Sequence, residues 1–143
     1  MKNEQVEKEL QELTGIIRKK TPWNLVNEIR VYGSYNNGNW DPEKSDIDIF
    51  VEINKDDPRY ITFLYEHTSK ITREVLKIMK GQYKNRFSIQ VYYEGLVKEI
   101  WDKDIGRGPG LGRDMKNGRL LYKKPQGLFK KLLCLNQENS TIN

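Results

Sequence analysis

Two stretches of the sequence carry residue types that can do chemistry together. Val31-Tyr32-Gly33-Ser34 closes an apolar run on a Gly-Ser turn. Eleven residues then separate it from Asp46 in Ser45-Asp46-Ile47-Asp48-Ile49-Phe50-Val51, where two aspartates occupy alternate positions of a second apolar run. Alternation along a strand sends Ile47, Ile49, Val51 and Ile53 to one face and Asp46, Asp48, Phe50 and Glu52 to the other. Two carboxylates side by side on one face repel each other unless a cation lies between them. That arrangement suits a hard divalent metal with oxygen ligands. A Gly-Ser turn beside it suits a phosphate, because glycine lets backbone N–H groups come close to an anion. The residues therefore point to metal-dependent chemistry on a nucleotide.

The elements that must position these residues are legible from periodicity. Val6, Leu10, Leu13, Ile16 and Ile17 recur at helical spacing, which predicts an amphipathic helix over 3–19 that ends at Thr21-Pro22. Residues 28–32 read as a short strand with Ile29 and Val31 inward, and residues 46–53 as a second strand. Pro58 to Lys80 is the longest helical candidate, with Ile61, Leu64, Ile71, Val75 and Ile78 on one stripe. Residues 86–93 alternate as a third strand, with Phe87, Ile89, Val91 and Tyr93 inward and Ser88, Gln90 and Tyr92 outward. Leu96 to Trp101 suggests a short helix, and Gly118 to Lys123 a short strand. The glycine-rich run 106–112 predicts a loop without regular structure. Its spacing matches neither a dinucleotide fingerprint nor a Walker loop. Gly127 to Leu135 reads as a final helix.

The 143 residues predict one domain over 1–135 and a polar tail over 136–143. Charged residues make up 31% and apolar ones 36%, which is polar yet compatible with a globular core. No apolar run is long enough to span a membrane and no secretory signal is evident, so the expected location is the cytoplasm. A single cysteine, Cys134, excludes an intrachain disulfide and a cysteine-built zinc site. One histidine, His67, far in sequence from the aspartates, argues against histidine-based metal sites and triads. The charge is uneven. Residues 1–97 hold 15 basic and 15 acidic side chains, whereas 98–143 hold 10 and 5, so the whole excess of +5 lies in the C-terminal third. A basic segment of that kind attracts phosphates, of a nucleotide or of nucleic acid.

Tyr32-Gly33-Ser34, the spacer and Ser45-Asp46-Ile47-Asp48-Ile49 together resemble the nucleotidyltransferase superfamily that includes DNA polymerase beta. Its pattern is an apolar residue, Gly, Gly or Ser, then a spacer, then paired acids between apolar residues. The likeness is close over residues 25–53 and extends to 58–123 by element order. It implies an α/β fold with a small mixed sheet and helices packed on one face. It also implies transfer of a nucleoside monophosphate from a nucleoside triphosphate to an acceptor hydroxyl. Asp46 and Asp48 would hold Mg2+, with room for two ions roughly 3.5–4 Å apart. Gly33 and Ser34 would hold the phosphates, with Arg30 and Lys44 as further candidates. Short members of the family often work with a helical partner subunit or as homodimers.

The chain departs from that pattern in one place. The family carries a third carboxylate on a later strand, and the position that sequence suggests for it is Gln90, in Ile89-Gln90-Val91. An amide is neutral and a poor general base. Glu52 and Glu94 share the faces of Asp48 and Gln90 but sit four residues away along their strands. Two rival functions follow. One is a catalytically impaired nucleotide-binding module, regulatory or antitoxin-like, supported by Gln90. The other is a nucleic-acid-binding protein that uses the basic C-terminal third.

Overall fold

Asn3 starts the first helix: its side-chain oxygen accepts a hydrogen bond from the Val6 N–H at 3.0 Å, in a computed structural model that describes residues 2–22, 24–57, 68–104 and 110–125. Helix α1 runs Glu4–Lys20, with Glu4 and Glu7 in its first turn and Arg18, Lys19 and Lys20 in its last. Both sets complement the helix dipole. Val6, Leu10, Leu13 and Ile17 form its buried face, spaced so that each lies about one turn from the next. Truncating one of them, Leu10→Ala for example, would cost about 2–5 kcal/mol.

The sheet has four strands: β1 (Val26–Tyr32), β2 (Ile47–Ile53), β3 (Phe87–Tyr93) and β4 (Arg119–Lys123), in the order β3-β2-β1-β4. β1 is antiparallel to both β2 and β4, while β2 and β3 are parallel, so the sheet is mixed. Between β1 and β2 lies a five-residue helix, α2 (Gly33–Asn37). Helix α3 (Thr68–Ile78) precedes β3, α4 (Glu94–Lys103) follows it, and α5 (Leu111–Lys116) leads into β4. The described part of the long helical candidate is α3. Residues 58–67, with Ile61, Leu64 and His67, lie outside the described residues, as do the predicted helix 127–135, Cys134 and the tail 136–143.

Helices cover both faces of the sheet, which corrects the expectation of helices on one face. On one side Ile29, Val31, Ile47, Ile49, Val51, Ile53, Ile89 and Val91 pack with α1, Val75 and Met79. On the other, Tyr32 and Phe50 pack with Val97, Ile100 and Met115 from α4 and α5, and Tyr92 lies against them. The reason is in the alternation itself. The face that carries the aspartates also carries aromatic residues, and such rings need cover. Phe50 is wholly buried, 5.6 Å from the Tyr32 ring and 6.4 Å from Tyr92. These rings are packing residues under α4 and α5.

Part of the glycine-rich run is helical, contrary to the expected loop. Asp104 makes the difference: its carboxylate accepts N–H bonds from Gly110 at 3.0 Å, Gly112 at 2.8 Å and Arg113 at 3.4 Å. That carboxylate satisfies N–H groups in the first turn of α5, and the Gly110 bond, first among its causes, holds its pKa below the usual range. Residues 106–109 of the run lie outside the described residues.

Candidate active site at the Gly33 and Asp48 ends of the strands

The antiparallel register of β1 and β2 brings the two sequence motifs together. Tyr32 pairs with Asp48, so the chain leaves β1 at Gly33 where β2 presents its second aspartate. Gly33 has φ +72°, in the left-handed region that glycine enters without steric cost. A Cβ built there would lie 2.5 Å from an Asp48 carboxylate oxygen. The backbone and the carboxylate thus meet in a space that only glycine leaves open. Asp48 is half-buried and Asp46, just before the strand, is exposed. Ser34 is half-buried, and its carbonyl accepts the Asn39 N–H at 3.0 Å together with the N–H of Gly38, which ends α2.

Two residues that sequence reasoning passed over hold the approach to Asp46. Arg86 donates to the carbonyls of Glu43 at 2.9 Å, Ser45 at 3.2 Å and Asp41 at 3.4 Å. Trp40 Nε1 also donates to the Ser45 carbonyl, at 2.9 Å. The only sequence signal was an arginine at the start of a strand, and its targets are backbone atoms more than 40 residues away. Replacing Arg86 by alanine strips donors from three carbonyls just ahead of Asp46. We expect a loss of about 2 kcal/mol in urea unfolding, with lysine recovering only part of it because a single ammonium cannot span the three acceptors. An Arg86→Ala protein as stable as the wild type would show that the loop holds its shape without the clamp.

α2 is tied to α1 by half-buried polar contacts. The Tyr35 hydroxyl donates to Glu7 at 2.7 Å, and Arg119 pairs with the same carboxylate at 2.7 Å. Burial, reinforced by Glu7, pushes the Tyr35 pKa up to about 12. Because that value is raised above the ordinary 10, its contribution to stability is full below pH 10 and is lost between about pH 10 and 12.

Arg30 lies two register pairs deeper than Asp48, opposite Phe50. Its guanidinium pairs with Glu28 at 2.9 Å, donates to the Gly118 carbonyl at 2.7 Å, and lies 5.9 Å from the Trp101 ring centre. The carboxylate it pairs with is thus Glu28 rather than Asp48. Lys44 is largely exposed and 3.8 Å from Asp41. The structure therefore gathers Gly33, Ser34, Asp46 and Asp48 at one end of the sheet, engages Arg30 deeper in it and leaves Lys44 at the rim.

The third strand behaves differently from its sequence. In the parallel pairing of β2 and β3, Asp48 lies opposite Ser88, and Gln90 lies opposite Phe50. Glu52 and Glu94 meet at the other end of β2, where the Asn27 side-chain amide donates to both, at 3.1 and 3.3 Å. Neither joins the aspartates. Among the described residues no group of three or more His, Cys, Asp or Glu side chains could hold a metal ion. Burial, with Glu28 and Glu94 nearby, raises the Glu52 pKa although the Asn27 hydrogen bond works against it. A raised pKa means full stability below the ordinary value of 4.5 and a loss as pH climbs through the folded value. Glu52→Gln keeps an acceptor for Asn27 and drops the charge. Its melting temperature should exceed that of the wild type at pH 7, and the two should converge near pH 4. A variant no more stable at pH 7 would refute this.

The basic C-terminal third is partly consumed within the fold: Arg119 pairs with Glu7, and Lys124 is buried with Nζ 3.5 Å from the Asn24 carbonyl. A groove of about 430 Å3 lined by Arg18, Lys19, Val26, Tyr122 and Pro125 lies at the end of the sheet remote from Asp48. Among the described residues no helix is long and apolar enough to cross a membrane.

A family model described as a nucleotidyltransferase domain matches residues 5–105, which include the turn, both aspartates and β3. The chain belongs to the nucleotidyltransferase domain family. A solved structure from Sulfolobus solfataricus, titled as a nucleotidyltransferase, is similar over 86% of this chain and 86% of its own, with 20% identity and a TM-score of 0.48. Among curated proteins none matches. Membership of the family makes nucleotidyl transfer the general activity of this fold.

Proposed function

We propose that the chain transfers a nucleoside monophosphate from a nucleoside triphosphate to an acceptor hydroxyl, at the strand ends that carry Gly33, Asp46 and Asp48. The observation that carries this reading is the contact between the Gly33 backbone and the Asp48 carboxylate, closed to any side chain at position 33. Phosphate oxygens and a divalent cation need to be neighbours in such a reaction, and here the two groups suited to them are neighbours.

The donor set suits a hard divalent cation: two carboxylates at alternate positions, one exposed and one half-buried. Asp46 and Asp48 would hold Mg2+, which when bound offsets negative charge on the phosphates and lowers the pKa of a coordinated hydroxyl. The chain's own residues do the rest. Gly33 brings backbone N–H groups toward the phosphates without a Cβ in the way. Ser34 places a hydroxyl at the start of α2. Trp40 and Arg86 keep the segment before Asp46 in place. In-line attack by the acceptor oxygen on the α-phosphorus forms one P–O bond and breaks the bond to the departing pyrophosphate. The acceptor proton leaves to solvent or to a neighbouring carboxylate.

One observation favours a second reading, a nucleotide-binding regulatory or antitoxin-like module with little turnover: no third carboxylate joins Asp46 and Asp48 among the described residues. A single assay separates the two. Incubation with Mg2+, α-labelled nucleoside triphosphates and candidate acceptors (RNA ends, protein hydroxyls, small alcohols) should place label on an acceptor, and chelation should stop it. Nucleotide that binds tightly while no label moves would favour the binding module.

A further inference from the structure

The β3 residue that borders the aspartate pair is decided by strand register. Ser88 is the direct parallel partner of Asp48, on a strand about 4.8 Å away. The two point to the same side, since Ile47, Ile49, Phe87 and Ile89 all belong to the apolar cluster on the opposite face. Gln90 is two residues further along, about 6.6 Å deeper. It lies opposite Phe50, which is 0% exposed and belongs to the cluster under α4 and α5. Glu52 is four residues, about 13 Å, from Asp48 and is held by Asn27.

We infer that Ser88, and not Gln90, is the third-strand residue of the site, and that a divalent ion is therefore retained there mainly as its complex with a nucleoside triphosphate. The inference rests on the reading of Asp46 and Asp48 as metal ligands. Two carboxylates and a neutral hydroxyl leave most of the coordination sphere of Mg2+ or Mn2+ to be filled. Mg2+ gives up water reluctantly and is commonly held by one or two carboxylates together with substrate phosphates. Ser88 adds no negative charge, so the phosphates must supply it. Metal and nucleotide then arrive as one ligand, and the protein without nucleotide binds the ion weakly.

The test is Mn2+ binding followed by electron paramagnetic resonance on the full chain, with and without a non-hydrolysable nucleoside triphosphate analogue. The wild type should bind Mn2+ at least tenfold more tightly with the analogue present. Ser88→Asp should bind Mn2+ alone at least tenfold more tightly than the wild type, and Gln90→Asp should leave that affinity unchanged. Melting provides a second readout. Ser88→Asp should melt lower in chelator and recover with Mn2+, whereas any loss in Gln90→Asp should not recover. Tighter Mn2+ binding by Gln90→Asp with no gain in Ser88→Asp would overturn the inference. So would a wild type that binds Mn2+ equally well without the analogue. If Asp48→Asn abolishes analogue-dependent Mn2+ binding while Ser88→Asp changes nothing, the metal reading stands and the assignment of Ser88 falls alone. If Asp48→Asn changes nothing, both fall. Should Ser88→Asp fail to fold, Ser88→Cys read with Cd2+ asks the same question through a soft ligand; no gain in Cd2+ binding over the wild type would overturn the assignment.

Discussion

Gly33→Ala should abolish most transfer while leaving the protein folded. Two effects act at this position and they separate cleanly. The first is conformational: φ is +72°, and an L side chain there costs about 1–2 kcal/mol. The second is steric and local, because the new methyl would lie 2.5 Å from an Asp48 carboxylate oxygen. Something must move, and the carboxylate is the softer of the two partners. The stability loss therefore stays near the conformational figure, while Asp48 is displaced from where a cation and phosphate would meet it. A misplacement of about 1 Å in a reacting constellation can cost roughly 100-fold in rate, so we expect a loss of that order. Gly38→Ala is the matched control. Its φ is +85°, but nothing lies within 4 Å of the added Cβ. It should lose a similar 1–2 kcal/mol, about the same conformational penalty, and keep its rate within about threefold. Equal rates for the two variants, measured below both melting points, would show that the Gly33 contact has no bearing on transfer.

Asp48→Asn should reduce transfer by about 1,000-fold, equivalent to about 4 kcal/mol in the barrier. The substitution keeps the shape of the side chain and one oxygen, so the β1–β2 pairing at Tyr32 has no steric reason to change. What it removes is the charge that would balance a divalent cation on the half-buried member of the pair. Asp46→Asn should be milder, since an exposed carboxylate is more readily replaced by water than one packed against the Gly33 backbone. The ratio of the two losses, read from label transfer at saturating Mg2+, is the informative quantity. Equal losses would mean that burial against Gly33 gives Asp48 no special weight. Retention of full activity in Asp48→Asn would remove the site from this end of the sheet.

These expectations draw unequally on local and long-range order. Residues whose roles depend on neighbours in sequence were readable at once. The alternation of Ile47, Ile49 and Val51 against Asp46 and Asp48 follows from the two-residue period of a strand, and α1 follows from helical spacing, while its Asn3 cap came from the structure. The Gly-Ser turn and the paired acids marked the family without any coordinates. What the pattern lacked was long-range pairing. Gln90 looked like the third position of the site because it sits mid-strand between Ile89 and Val91, but an intrastrand pattern contains no information about register against another strand. Hydrogen-bond pairing of β2 with β3 put Ser88 beside Asp48 instead. The same holds for cover. Alternation puts Tyr32 and Phe50 on the face of the aspartates, where packing under a flanking helix is the expectation, but only the tertiary structure identifies α4 and α5 as the elements that cover them.

Arg86 and Asp104 teach the complementary lesson. Each binds backbone atoms, and backbone acceptors and donors have no residue type to recognise in a sequence. Arg86 reaches carbonyls 41 to 45 positions back in the chain, and Asp104 binds N–H groups at Gly110 and Gly112, in a part of the sequence that composition alone assigned to a loop. Local chemistry thus named the aspartates, the turn and the two periodicities, because strand alternation and helical spacing act within a few residues. The partner of Asp48 on β3, the clamp on the loop before Asp46 and the second layer of helices were left to the tertiary structure, because register, backbone satisfaction and burial arise only when distant segments meet.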